Sequence, residues 1–170
     1  MLKAMKYRLK LMKTQAKQLD GQLEECGWLY NHFLAERKSA WEQRQESLSY
    51  HQQATTLPQL KQDRPALSSV HSQVLQNVTV RIDLAFKAFF RRCKAGEEPG
   101  YPRFRGRGRY DSMTFPQYSN GCQLTDGVLK LSKVGALRVV QHRPLEGMPK
   151  TCTIRRSSTG KWYVTIACEV

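Results

Sequence analysis

The first thirteen residues, MLKAMKYRLKLMK (Met1–Lys13), decide how the rest of the chain is read. Lys3, Lys6, Arg8, Lys10 and Lys13 supply five positive charges with no acid among them, interleaved with apolar Leu2, Met5, Tyr7 and Leu9. Successive side chains of a strand point to opposite faces, so this alternation predicts a β-strand. From Thr14 the spacing changes to steps of three and four, through Leu19, Leu23, Cys26, Tyr30, Phe33, Leu34, Arg37 and Trp41. That period predicts one long amphipathic helix, N-capped by Thr14 and ending near residue 45.

A shorter helix is expected to start at Ser49, and Pro58 and Pro65 punctuate the stretch up to His71. Between Ser72 and Lys94, Leu75, Val78, Ile82, Ala85, Phe86, Phe89 and Phe90 recur at helical spacing. They predict a second long helix whose apolar face packs on the first. Gly96, Pro99 and Gly100 close the helical region. Six short strands follow: Met113–Phe115, Gln123–Leu124, Val128–Leu131, Leu137–Val140, Cys152–Arg156 and Trp162–Val170. Asp126-Gly127 and Ser157–Gly160 read as hairpin turns, since Gly and Asp tolerate the positive φ such turns need. So many short strands so close together suggest a barrel.

The chain of 170 residues has 28 basic against 14 acidic residues, a formal net charge of +14. An excess of that size favours a polyanionic partner, the plainer alternative being a solvated surface that only aids solubility. The charge is unevenly spread. Residues 1–13 hold five bases and no acid, residues 14–98 eleven bases against ten acids, and residues 99–170 twelve against four. If the basic first strand joins the C-terminal strands, the fold is α+β: a discontinuous β-barrel of residues 1–13 plus 99–170, interrupted by a nearly neutral helical insertion of residues 14–98. The electrostatic footprint then belongs to the barrel.

The densest basic stretch is Tyr101-Pro102-Arg103-Phe104-Arg105-Gly106-Arg107-Gly108-Arg109-Tyr110. Guanidinium groups bind phosphate oxygens bidentately, aromatic rings stack on bases, and glycines let a backbone approach closely. Arg103, Arg105, Arg107 and Arg109 are therefore candidate phosphate contacts, together with Lys3, Lys6 and Arg8 of the first strand and Arg143 of a second basic cluster. That cluster runs over Lys130, Lys133, Arg138, His142-Arg143, Lys150, Arg155-Arg156 and Lys161, where alternation divides the residues between faces and could leave a basic stripe on one of them.

Other functions find little support. The five cysteines (Cys26, Cys93, Cys122, Cys152, Cys168) form no CxxC pair and no zinc spacing with histidine, so reduced thiols, mostly packed as small hydrophobes, are expected. No nucleophile elbow, HExxH, Walker loop or dinucleotide fingerprint occurs, and no set of carboxylates suggests a two-metal site. No apolar run reaches membrane-spanning length and no signal-peptide core is present, so a cytoplasmic chain without membrane contact is expected.

A series of short pieces, in order, resembles the TnpB (OrfB) proteins of bacterial insertion sequences, relatives of the compact type V CRISPR effectors. They are Tyr7-Arg8-Leu9, Tyr30-Asn31-His32-Phe33-Leu34-Ala35-Glu36-Arg37, Leu48-Ser49-Tyr50, Gln73-Val74-Leu75-Gln76, Ala85-Phe86-Lys87-Ala88-Phe89-Phe90, Gly100-Tyr101-Pro102-Arg103-Phe104, His142-Arg143-Pro144-Leu145 and Lys161-Trp162-Tyr163-Val164. The resemblance implies a wedge-type, oligonucleotide-binding-like barrel with a helical recognition domain inserted after its first strand. It further implies a guide RNA from the transposon end and double-stranded target DNA as partners, with base pairing reading the target. Residues at the duplex would be Tyr50, Ser72, Gln73, Gln76, Thr114 and Phe115; Gln can pair with adenine and Thr can meet a base edge or thymine methyl.

In relatives a RuvC-like nuclease and a zinc ribbon follow the point where this sequence reaches Glu169-Val170. The expectation is therefore a chain without catalytic residues or cofactor, Mg²⁺ and Zn²⁺ belonging to that further part. An autonomous DNA-binding repressor or transposition accessory protein, or a generic basic RNA-associated barrel, are the competing readings.

Overall fold

A computed structural model describes all residues, Met1–Val170. Strand β1 (Leu2–Lys10) leads into helix α1 (Lys13–Arg44), followed by α2 (Tyr50–Ala54), α3 (Leu57–Asp63), a 3₁₀ turn (Pro65–Ser69) and α4 (Ser72–Lys94). Six strands complete the chain: β2 (Ser112–Phe115), β3 (Cys122–Thr125), β4 (Val128–Leu131), β5 (Gly135–Val140), β6 (Met148–Arg156) and β7 (Trp162–Glu169). The fold is α+β. Helix α1 starts one residue before Thr14, correcting its expected cap: Met12 occupies that position, and its N–H donates to Gln15 Oε1 at 3.1 Å. The Gln15 amide, three residues on, thus makes the side-chain-to-N-cap half of a capping box, and its Nε2 reaches Ala136 O on β5 at 2.9 Å.

All seven strands form one antiparallel sheet in the order β2-β6-β7-β1-β5-β4-β3. Strand β1 thus lies in the middle, paired with β7 from Leu2↔Glu169 to Arg8↔Tyr163 and with β5 from Arg8↔Val140 to Lys10↔Arg138. The expected barrel is only half closed, because β2 and β3, four residues each, are free edges. The sheet nevertheless curls until the far ends meet. Tyr118 N donates to Lys150 O at 2.9 Å, and Cys122 on β3 is joined to Cys152 on β6 across a Cα separation of 6.7 Å. This corrects the expectation of five separate thiols: 30 residues and four intervening strands separate the pair, so spacing could not reveal it.

Met5, Tyr7 and Leu9 on β1 and Trp162, Val164, Ile166 and Cys168 on β7 point inward, as their alternation requires. They share a continuous core with Leu19, Leu23, Cys26, Phe33, Leu75, Ile82 and Phe86 of the helices. Between α1 and α4 the buried Arg37 ties three elements together. Its Nη2 meets Asp83 Oδ1 at 3.0 Å and its Nε donates to Gln53 Oε1 at 2.7 Å. Gln53 Nε2 in turn donates to Phe33 O at 2.9 Å. The Asp126-Gly127 turn has φ of 49° and 74°, as a two-residue hairpin between Thr125 and Val128 demands. No helix is long and apolar enough to cross a membrane.

Candidate nucleic-acid interface

The strand registers line up the outward side chains into two transverse rows. One runs Thr114, Thr153, Thr165 and Lys6; the next runs Arg155, Tyr163, Arg8 and Val140. Lys6 Nζ lies 4.3 Å from the centroid of the Tyr163 ring, a contact that leaves the charge facing solvent. Lys10 and Arg138 are paired directly in the adjoining register. None of Lys6, Arg8, Lys10, Arg138 or Arg155 has a carboxylate within 4.0 Å. An uncompensated row of cations beside an aromatic ring suits a sugar-phosphate chain.

Three other members of the expected basic stripe, and Lys3 of the first strand, serve the fold. Lys133 Nζ donates to Ser68 O on the 3₁₀ turn, Lys150 pairs with Glu169 at 3.5 Å, Arg156 pairs with Asp20, and Lys3 pairs with Glu146 at 2.5 Å. Their charges are partly spent on joining sheet to helices and strand to loop.

The Arg-Gly stretch is docked along α1. Asn31 Nδ2 donates to Arg105 O and Asn31 Oδ1 accepts from Arg105 N, both at 2.8 Å. Arg156 Nη2 donates to Gly108 O at 2.9 Å. At the end of the stretch, Tyr110 packs with its Cβ 3.1 Å from where a side chain at Gly27 would begin, so the helix glycine gives the loop room to approach. Arg103, Arg105, Arg107 and Arg109 remain exposed; only Arg107 approaches an acid, Glu24 at 3.9 Å.

Where α4 meets the sheet edge, Arg81 is held by neutral acceptors. Nη1 donates to Tyr110 Oη at 2.9 Å and Ser112 O at 3.1 Å, and Nη2 donates to Thr114 Oγ1 at 2.9 Å. The guanidinium carbon sits 5.4 Å from the Tyr110 ring centroid. Burial pushes the Tyr110 phenol well above its ordinary range although the Arg81 charge opposes this, so it stays protonated. Thr114 Oγ1 also lies 3.0 Å from Thr153 Oγ1. A cleft of about 810 Å³ opens beside this group.

The residues named at the duplex fall into different places. Thr114 lines the cleft, with its hydroxyl engaged by Arg81 and Thr153. Gln73, on the first turn of α4, donates to Gln117 Oε1 at 3.0 Å, while Ser72 and Gln76 are exposed. Tyr50 begins α2, behind a Ser49–Gln52 capping box. Phe115 is 1% exposed and packs inside against His71. Its alternation partner Met113 faces the same way, so strand period places both in the core. Arg143 is exposed, and its carbonyl accepts from Tyr7 Oη at 3.0 Å.

Sequence reading missed Arg81, Asn31 and Thr153. Arg81 had one signal: it is the only basic residue between Ser72 and Phe86 on α4. No three His, Cys, Asp or Glu side chains gather to hold a metal.

Comparison with known proteins bears out the resemblance read from the motifs, over the N-terminal portion of TnpB-type proteins. Residues 1–46 match the helix-turn-helix domain of the OrfB type from IS605 elements; here that span is β1 and one unbroken helix. Two curated relatives carry the name "Putative RNA-guided DNA endonuclease". The one from Escherichia coli (strain K12), InsQ, is 29% identical over 99% of this chain and 40% of its own length. That from Streptomyces pristinaespiralis is 32% identical over 98% of this chain and 41% of its own. The chain therefore spans well under half of these relatives. The fold is also that of part of the protein chain in a Cas12f1–sgRNA–target DNA complex, with a TM-score of 0.51 over 100% of this chain and 48% of that one at 12% identity.

Proposed function

We propose that this chain is the nucleic-acid-binding, N-terminal portion of a TnpB-type RNA-guided DNA endonuclease, holding guide RNA on the outer face of the sheet and target-flanking duplex DNA beside α4. The observation that carries the reading is the acid-free row of Arg155, Tyr163 and Arg8, in register across three strands drawn from both ends of the chain. Cations on rigid strands lose little freedom when they meet phosphates, and sequence-independent grip of a guide needs only such contacts. Gln76 and Ser72, exposed on the first turns of α4, are the residues proposed to face base edges, with Tyr50 on the neighbouring α2. Cleavage belongs to residues outside this chain in this reading, and the chain itself supplies binding and positioning.

Guide-specific binding tests the proposal. The protein should bind RNA from its transposon end more tightly than an unrelated RNA of equal length at moderate salt. Equal affinity for the two would remove support for the guide reading, and tight sequence-specific duplex binding without RNA would favour a repressor or accessory protein. Strand cleavage by this chain with added Mg²⁺ would overturn the division of labour.

A further inference from the structure

The geometry points to a seat for a single phosphodiester group at the junction of α4 and the sheet edge, anchored by Arg81. This deepens the proposed function, since it rests on the chain binding nucleic acid at all.

Arg81 has five N–H donors. Three are committed to Tyr110 Oη, Ser112 O and Thr114 Oγ1, all neutral acceptors, leaving Nε–H and one Nη2–H without a protein partner. No carboxylate lies within 4.0 Å of the guanidinium, so its full charge is uncompensated. The only acid on the cleft wall, Asp111, makes no ion pair with any base. A part-buried cation held rigidly by uncharged groups, with donors to spare, is pre-organised for an anion.

The neighbours complete the seat. Arg109 and Arg155 line the same cleft without acidic partners. Thr114 and Thr153 share one hydrogen bond, so whichever hydroxyl donates, one O–H of the pair remains unused. Phosphate accepts all of these donors, and two or more of its oxygens can be met at once. A base would offer donors of its own, for which the charged acceptor on this wall is the Asp111 carboxylate. Thr114 therefore acts here by orienting Arg81 rather than by touching a base.

The test uses the full chain with two probes, a short duplex DNA and a hairpin RNA, each made as a set with one backbone phosphate at a time replaced by an uncharged methylphosphonate. At one position of one probe, the neutral linkage should weaken wild-type binding about tenfold, and the probe in which this occurs identifies whether DNA or RNA occupies the seat. Arg81→Gln should bind the unmodified probe about tenfold more weakly and lose sensitivity at that position, and its salt slope should fall by about 1 on duplex or 0.7 on single strand. Because Arg81→Gln leaves the buried Tyr110 without its partner, Arg155→Gln on the exposed sheet face is run beside it and should blunt the same position. If wild type binds but no position is sensitive, or if sensitivity persists in both variants, the seat is wrong while the broader reading stands. Failure of the wild type to bind either probe would remove the broader reading itself.

Discussion

Asn31 on α1 meets Arg105 as an adjacent strand would, accepting from its backbone N–H and donating to its backbone carbonyl at 2.8 Å each. Both bonds bypass the arginine side chain, so the guanidinium, 5.7 Å from the Tyr30 ring centroid, has no acidic partner while its backbone is fixed. A stretch rich in glycine and arginine is thereby held in one path along the helix, and every charge on it is offered from a known place.

Removing that clasp should loosen the loop without unfolding the protein. Two hydrogen bonds at about 1 kcal/mol each correspond to a roughly tenfold or greater rise in loop opening. Limited trypsin digestion of Asn31→Ala should therefore cut between Arg103 and Arg109 at least tenfold faster than in wild type. Unchanged cleavage would mean that the Asn31 pair does not restrain the loop.

Acid should release the helical core through Asp83. Burial pushes this carboxyl up, but hydrogen bonds and charge from Lys87 and Arg37 outweigh it and hold the group below its usual range. A carboxyl depressed in the folded state stabilises the fold fully above its unfolded value, about 3.9, and loses that contribution as pH falls through the folded value. At neutral pH, Asp83→Asn should lower Tm, leaving the buried Arg37 charge short of its partner by about 3 kcal/mol. The gap to wild type should narrow as the pH falls below 4. A gap independent of pH would place the effect elsewhere.

Two glycines with nearly equal φ should respond very differently to alanine. Gly96 has φ of 77° with open space around it, whereas a Cβ on Gly147, at φ of 78°, would lie 2.2 Å from Glu169 O. Gly96→Ala should cost about 1 kcal/mol from backbone strain alone. Gly147→Ala must also push β7 away from the start of β6 and should cost about 3 kcal/mol or more. Denaturant midpoints of the two variants would check the difference; equal losses would contradict the close approach.

Periodicity carried most of the fold. The alternation of Trp162 to Cys168 and of Met5 to Leu9 marks inward faces that the structure confirms residue by residue, and α4 spans the Ser72–Lys94 stretch expected around its apolar spacing. What periodicity lacks is the third dimension. Arg8, Tyr163 and Arg155 fall into one row only because β1 enters the sheet beside β7 and β7 beside β6. Lys133 and Arg156 look equally basic in sequence, but bonds to Ser68 O and Asp20 take them into the scaffold. Phe115 is buried for a local reason that alternation makes legible, since it shares the inward side of β2 with Met113. Arg81 showed only as a lone base on α4, because its partners Tyr110, Ser112 and Thr114 are 29 to 33 residues away.

The salt dependence of RNA binding tests the central claim most directly, by comparing wild type with the Arg8→Gln/Arg155→Gln double variant. Each phosphate contact on a single strand contributes about 0.7 to the slope of log K against log salt. The double variant should therefore fold normally, bind more weakly, and show a slope shallower by about 1.4. Superimposable lines for the two proteins would contradict the account, because the acid-free row across β6, β7 and β1 would then touch no phosphate.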